Sequence, residues 1–165
     1  MSIIKTTADV TAVNKASRLV FASALQASVV LPAVAADLSL PSVAIASGDI
    51  PSGATITRVL AAVAWRKQVD SSAAANAVNG AQNIQVQNSV SGTWTNAIAI
   101  ATAALSTAAS ATEGGVMIIG AIDIKAEVTG TGTYSFQWAS ALVTAASLTL
   151  YDVQTYLIVE FTTSS

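Results

Sequence analysis

From Asp37 onward, apolar side chains recur at every second position, in short runs that end at glycine, proline or Asn-Gly steps. A period of two sends alternate side chains to opposite faces of a pleated strand, so it selects half-buried β-structure over helix. Tyr134, Phe136 and Trp138 are the plainest case, with Ser135 and Gln137 facing the other way. Three aromatics in such a row read as the dry side of a sandwich. Thr55–Val69 alternates for longer, with Val59, Ala61, Val63 and Trp65 on one face and Arg58, Leu60, Ala62, Ala64 and Arg66 on the other. Its opening Thr-Ile-Thr-Arg-Val favours a strand.

The same reading gives strands over Ser42–Ala46, Gln82–Gln87, Thr93–Ile100, Val116–Val128, Tyr134–Trp138, Leu148–Asp152 and Gln154–Thr162. In Val116–Val128 the face Ile118, Ile122, Ile124 and Val128 opposes Asp123, Lys125 and Glu127, which predicts one dry and one wet side. Ala101–Thr112, rich in Ala, Ser and Thr, is either a loop or a short helix. The expected class is all-β, a two-sheet antiparallel sandwich or jelly roll of about eight strands with an N-terminal arm. The expected division is residues 1–36 as an arm or first strand mediating assembly and 37–165 as the β-sandwich body.

The first segment allows several readings. Lys5, Lys15 and Arg18 precede an apolar run from Leu19 to Ala36 that contains Ala33-Val34-Ala35, the pattern of a secretory cleavage site. The run is near the minimum length of a membrane span, but Gln26, Pro32 and its Ala/Ser content make it weakly hydrophobic for one. Extended structure over Arg18–Leu31 puts Leu19, Phe21, Leu25, Val29 and Leu31 on one face; Thr7–Ala16 reads alternatively as a helix capped by Thr7. We take the segment as an arm or first strand, whose loss by deletion of residues 1–30 leaves a folded but assembly-defective body.

Chemistry is scarce. The chain has no histidine and no cysteine, which removes thiol catalysis, disulfides, and the commonest general base and metal ligand. A Lys67 dyad with Ser71 or Ser72 is matched only because serine is abundant. Asp123 and Glu127, on one strand face, stand about 13 Å apart, too far for a glycosidase pair. Asp70 with Ser71, Ser72 and Asn76 lacks the spaced acids of a calcium loop. No cofactor, metal or small-molecule substrate is expected. The net charge is −2, and the densest basic spot is Arg58 with Arg66 and Lys67, so no nucleic-acid surface is expected either.

Only 10% of residues are charged, against about 25% in ordinary domains, and mean hydropathy is +0.61. Seven Lys/Arg and nine Asp/Glu cannot cover a folded body of this length, so neutral and apolar groups must form much of its exterior. That points to a surface completed by neighbouring copies. Candidate assembly residues are Leu19, Phe21, Leu25, Val29 and Leu31 in the first segment, Trp65 beside Arg66 for a cation–π contact with a neighbour, and Trp94 at an edge or interface.

The segment ATITRVLAAVAWRKQVDSSAAANAVNGAQNIQV, with GTWTNAIAI and SLTLYDVQTYLIVEF, resembles small β-sandwich structural and decoration proteins of tailed-bacteriophage virions, over Ala54 to Phe161. The resemblance is one of texture: Ala/Thr/Val-rich strands, few charges, no His or Cys. It implies a non-enzymatic capsid decoration or surface component, located in the virion, that associates with its own copies (often as a trimer), with a capsid shell protein, or both. An extracellular filament or surface-layer subunit, with the first segment as donor strand or export signal, uses the same physics. A carbohydrate-binding module would instead need Trp138 and its row to face solvent.

Overall fold

The computed structural model describes residues 15–88, 92–101, 105–145 and 147–163. Nine strands run among them: β1 (Lys15–Ala22), β2 (Gln26–Pro32), β3 (Ala36–Ile45), β4 (Thr55–Asp70), β5 (Gln82–Asn88), β6 (Thr95–Ile100), β7 (Thr112–Ile119), β8 (Gly132–Ala141) and β9 (Ser147–Thr163). They form two antiparallel sheets. Sheet A has the order β1-β9-β4-β7, with β2 also on β9; sheet B has the order β3-β8-β5-β6. β1 and β2 lie end to end along one side of β9, so together they act as one broken strand. Taken that way the sheets are two sets of four strands in jelly-roll order.

The core lies between the sheets. Tyr134, Phe136 and Trp138 of β8 are fully buried and face Val59, Ala61, Val63 and Trp65 of β4 and Leu157 and Val159 of β9 within one cluster. The buried aromatic row removes the carbohydrate-module reading, because Trp138 has no exposed ring face. Its indole N–H donates to Gln82 Oε1 at 2.7 Å, and the Gln82 amide donates in turn to the carbonyls of Asn79 and Leu142. The one polar end of the largest core residue is thereby satisfied.

Several boundaries differ from expectation. Leu148–Asp152 and Gln154–Thr162 are one continuous strand, in which Asp152 adopts φ 53°. There the inward parity changes: Leu148 and Leu150 are buried before it, Val153, Thr155 and Leu157 after it. β4 changes parity at the facing point, from Trp65 to Gln68 and Asp70. The two irregularities cancel in register, so the long pairing survives a local kink. β7 accommodates the kink with glycine: a Cβ on Gly115 would fall 2.0 Å from the Trp65 carbonyl oxygen.

Val116–Val128 is not one strand. β7 stops at Ile119, and Gly120 to Thr131 form a loop held along β4 by Gly120 N–H to Ala61 O and Ile124 N–H to Val59 O. Gly120 itself sits against the Ala97 carbonyl, with no room for a Cβ. Ile124 and Val128 are buried from this loop, whereas Ile122 faces outward. The strand at Ser42–Ala46 begins earlier, at Ala36, because β3 carries Pro41 through a register shift at a sheet edge, where a missing N–H is tolerated. In the stretch Ala101–Thr112, Leu105 is buried and Thr107 bridges to Asn76.

Residues 15–36 take the strand form of the expected alternatives. Val29 and Leu31 belong to the core, so removing residues 1–30 strips strands from sheet A; the expected intact body does not follow. The helix expected over Thr7–Ala16 lies outside the described residues up to Asn14, and Lys15 and Ala16 open β1.

One end of the sandwich is tied by a buried carboxylate. Asp70 Oδ1 accepts from the Ser72 N–H (2.8 Å), and the Ser72 hydroxyl lies 2.5 Å away; Oδ2 accepts from the Asn76 N–H and the Thr107 hydroxyl, each at 3.1 Å. Burial opposes the charge, but these hydrogen bonds outweigh it and hold the Asp70 carboxyl below its ordinary value. Asn76 continues the tie to the Thr107 backbone and the Ala145 N–H. The loops after β4, β6 and β8 therefore meet on Asp70 and Asn76.

Candidate assembly surface

The outward faces of the two sheets are chemically unlike. On sheet B, Gln137 of β8, Gln85 of β5 and Asn96 of β6 stand in register. Their side chains form an amide ladder, Gln137 Nε2 to Gln85 Oε1 at 2.7 Å and Gln85 Nε2 to Asn96 Oδ1 at 2.9 Å. This is the polar outer face expected of an antiparallel sheet in water.

Sheet A presents apolar rows instead. Val20, Ile158 and Leu60 are in register across β1, β9 and β4. The next row is Ala22, Tyr156, Ala62 and Ile119, reaching β7; beyond it Ala64 and Met117 flank the polar Gln154, which accepts from the Tyr156 hydroxyl at 2.8 Å. Ile158 and Ala62 are buried although neither belongs to the core between the sheets. The outer face has thus drawn its own middle out of water, and its open apolar surface lies at the margins: Val20 is 57% exposed on one side, Met117 52% and Ile119 54% on the other.

Ion pairs bound these rows at both ends. Arg18 donates to Glu160 at 2.6 Å, with Arg58 in register beside Glu160. At the kink, Arg66 pairs with Asp152, and Lys67 places its ammonium 4.6 Å from the centre of the Tyr151 ring. An apolar centre with a charged rim is the layout of a protein interface.

The expected assembly residues separate into distinct groups. Leu25 is exposed in the break between β1 and β2; Leu19, Phe21 and Trp94 are half-buried, and Phe21 packs on the core. Val29, Leu31 and Trp65 are buried inside the chain's own sandwich, so they have no surface to offer a neighbour. Their parity was right for burial, and burial against the chain's own sheet satisfied it. The Trp65 indole N–H donates to Gln68 Oε1 at 3.3 Å, and a cation–π contact among the described residues joins Lys67 and Tyr151. Arg66 is exposed and paired within the chain. Sequence reasoning missed Val20, Ile119 and Met117 because it treated the opposite parity of each strand as the wet side.

The acids weighed for chemistry serve as structural ties. Asp123 Oδ1 accepts from the Val59 and Lys125 N–H groups at 3.0 Å each, and the Val59 bond is the main cause of its lowered pKa. Glu127 accepts from the Asn88 N–H and the Thr95 hydroxyl. Asp123 and Glu127 lie in the loop after β7, not on a shared strand face. Burial raises the Tyr134 pKa, with its hydroxyl donating to the Gly130 carbonyl at 2.7 Å. Asp70 has its oxygens turned to N–H and O–H donors, an arrangement built for hydrogen bonding and not for a cation.

No family model matches the chain, and no curated protein matches it. Among solved structures, it is similar to a chain in the structure of infectious bursal disease virus, Gx strain, at a TM-score of 0.37 and 14% identity. The match covers 92% of this chain and 41% of that one, so this chain spans about two fifths of its length. The likeness is loose and decides nothing about this chain.

Proposed function

We propose that this protein is a non-enzymatic structural subunit of a virion, a capsid decoration or surface component that associates with its own copies and helps cement a shell. The observation that carries the reading is the outer face of sheet A, where apolar rows cross β1, β9, β4 and β7 between two ion pairs. A sheet with one face in water alternates polar residues outward, and sheet B does so; sheet A does so at its ends and at Gln154, with apolar side chains across the rows between. The jelly roll is an architecture that viral capsid domains use, which supports the reading by analogy only. The textural resemblance to phage decoration proteins supplies the finer identity. Association of such a face costs little desolvation, because the rows hold no unpaired charge.

Light scattering over a concentration series tests this. Samples from about 10 μM to about 1 mM cover self-association with Kd as weak as millimolar. Mass rising with concentration toward a defined oligomer is the expected result. A monodisperse monomer throughout overturns the reading.

A further inference from the structure

We propose that β7 is a strand-pairing edge that takes the β7 of a second copy of this chain, joining two A sheets into one continuous sheet across a two-fold axis. The inference deepens the assembly reading above and rests on it.

The argument starts from the four sheet edges. Exposed edges invite pairing, and proteins blunt them with charge, proline, irregularity or shortness. On the far edge of sheet A, β1 carries Arg18, and β2 ends at Pro32. In sheet B, β3 carries Asp37, Pro41 and two register shifts, and β6 is only six residues long. β7 carries one charge, Glu113 near its start, already bonded by Gln68, and is otherwise without these devices. From Gly114 to Ile119 it has no charge and no proline, and among the described residues it pairs with β4 alone.

Its free side is also ready to bond. Gly120 N–H donates to Ala61 O in the β4–β7 register, and the alternation of an antiparallel ladder then turns the N–H and C=O of Met117 and Ile119 away from β4. Apolar side chains cluster here too: Val116, Met117 and Ile119, with Ile122 beyond, are exposed.

The occupant follows from charge and symmetry. A neutral strand asks for a neutral partner, and an antiparallel pair about a two-fold is self-complementary. Outward-facing groups must meet outward-facing groups; registers centred on Gly115 and on Val116 do so with equal overlap, and the second sets the two Glu113 residues further apart. It places the two Glu113 residues about 20 Å apart, beyond the Debye length of about 8 Å. Each Glu113 carboxylate is already taken by Gln68 Nε2 at 3.1 Å.

The absence of native cysteine makes the test clean. Val116→Cys lies on the axis in a non-hydrogen-bonded pair, where Cα atoms about 4.5 Å apart suit a disulfide. Mild oxidation is expected to give a covalent dimer from Val116→Cys and none from Leu25→Cys at the far edge. Met117→Pro removes an outward N–H and is expected to weaken association at least tenfold by analytical ultracentrifugation, with the circular dichroism spectrum unchanged. If that variant does not fold, Met117→Lys keeps the backbone and is expected to weaken association through like charges near the axis. Association equal to wild type in the folded variant, or no Val116→Cys cross-link while the wild type associates, overturns the β7 edge and leaves the assembly reading standing. A wild type that stays monomeric overturns both.

Discussion

Asp70→Asn tests whether a buried carboxylate holds one end of the sandwich together. The side chain is 1% exposed, and its two oxygens face donors on opposite sides: Ser72 on Oδ1, Asn76 and Thr107 on Oδ2. An asparagine has one acceptor oxygen and one amide donor. Whichever way it flips, its NH₂ meets a backbone N–H, from Ser72 or from Asn76. On the Ser72 side that orphans a buried N–H at about 1–3 kcal/mol; on the Asn76 side the N–H keeps the Thr107 carbonyl but faces a second donor, and either way the remaining bonds lose the strength that charge lends them. The expected loss is about 1–4 kcal/mol at neutral pH, read from urea unfolding of the monomer at low concentration. The pH dependence gives a second handle. The folded carboxyl titrates below the ordinary carboxylate value of 3.8, so its contribution is present above that value and is lost as pH falls through the lower folded pKa. The gap between wild type and Asp70→Asn should therefore narrow below about pH 4. A variant within about 0.5 kcal/mol of wild type at pH 7, or a gap that does not shrink on acidification, refutes the reasoning.

Two further perturbations probe the kink in sheet A. Gly115→Ala places a methyl against the Trp65 and Arg66 carbonyls, backbone that cannot swing aside, and should cost about 3 kcal/mol or detach β7, seen as early amide exchange along Thr112–Ile119. At the same point Trp65→Ala should cost about 3–5 kcal/mol as a core cavity. Arg66→Ala, removing an exposed ion pair, should cost under about 1 kcal/mol; urea titration ranks the two neighbours, and a larger loss at Arg66 contradicts the assignment of faces.

Alternation made the sandwich legible. Tyr134, Phe136 and Trp138 are buried as their period demands, and so are Val59, Ala61, Val63 and Trp65. Parity says which residues are dry, but it does not say against what. Val29 and Leu31 were legible as a sticky face, and only the pairing of β2 with β9 shows that the chain itself covers them. The parity change across Asp152 was invisible because it is matched by one in β4 far away in sequence. The outer face of sheet A was missed for a related reason. Val20, Leu60, Ala62, Ile119 and Ile158 are unremarkable one strand at a time, and they become a surface only when the sheet order aligns them.

The scarcity of charge also has a structural reading beyond its total. Every described acid is engaged within the chain. Asp37 accepts from the Ser140 N–H and Asp49 from the Ala46 N–H; Asp70, Asp123 and Glu127 hold loops; Glu113 takes Gln68; Asp152 and Glu160 pair with arginines. Acids used this way fix turns and ends, where backbone donors need acceptors, and they leave the sheet faces to neutral groups. A neutral face can stay wet only if it carries hydrogen-bonding side chains, as the amide ladder of sheet B does. Sheet A has no such ladder across Val20, Leu60, Ile119 and Ile158, so the two sides of the sandwich differ in what they gain by leaving water. Under the assembly proposed above, that asymmetry orients the subunit: sheet B outward to solvent, sheet A toward its neighbours.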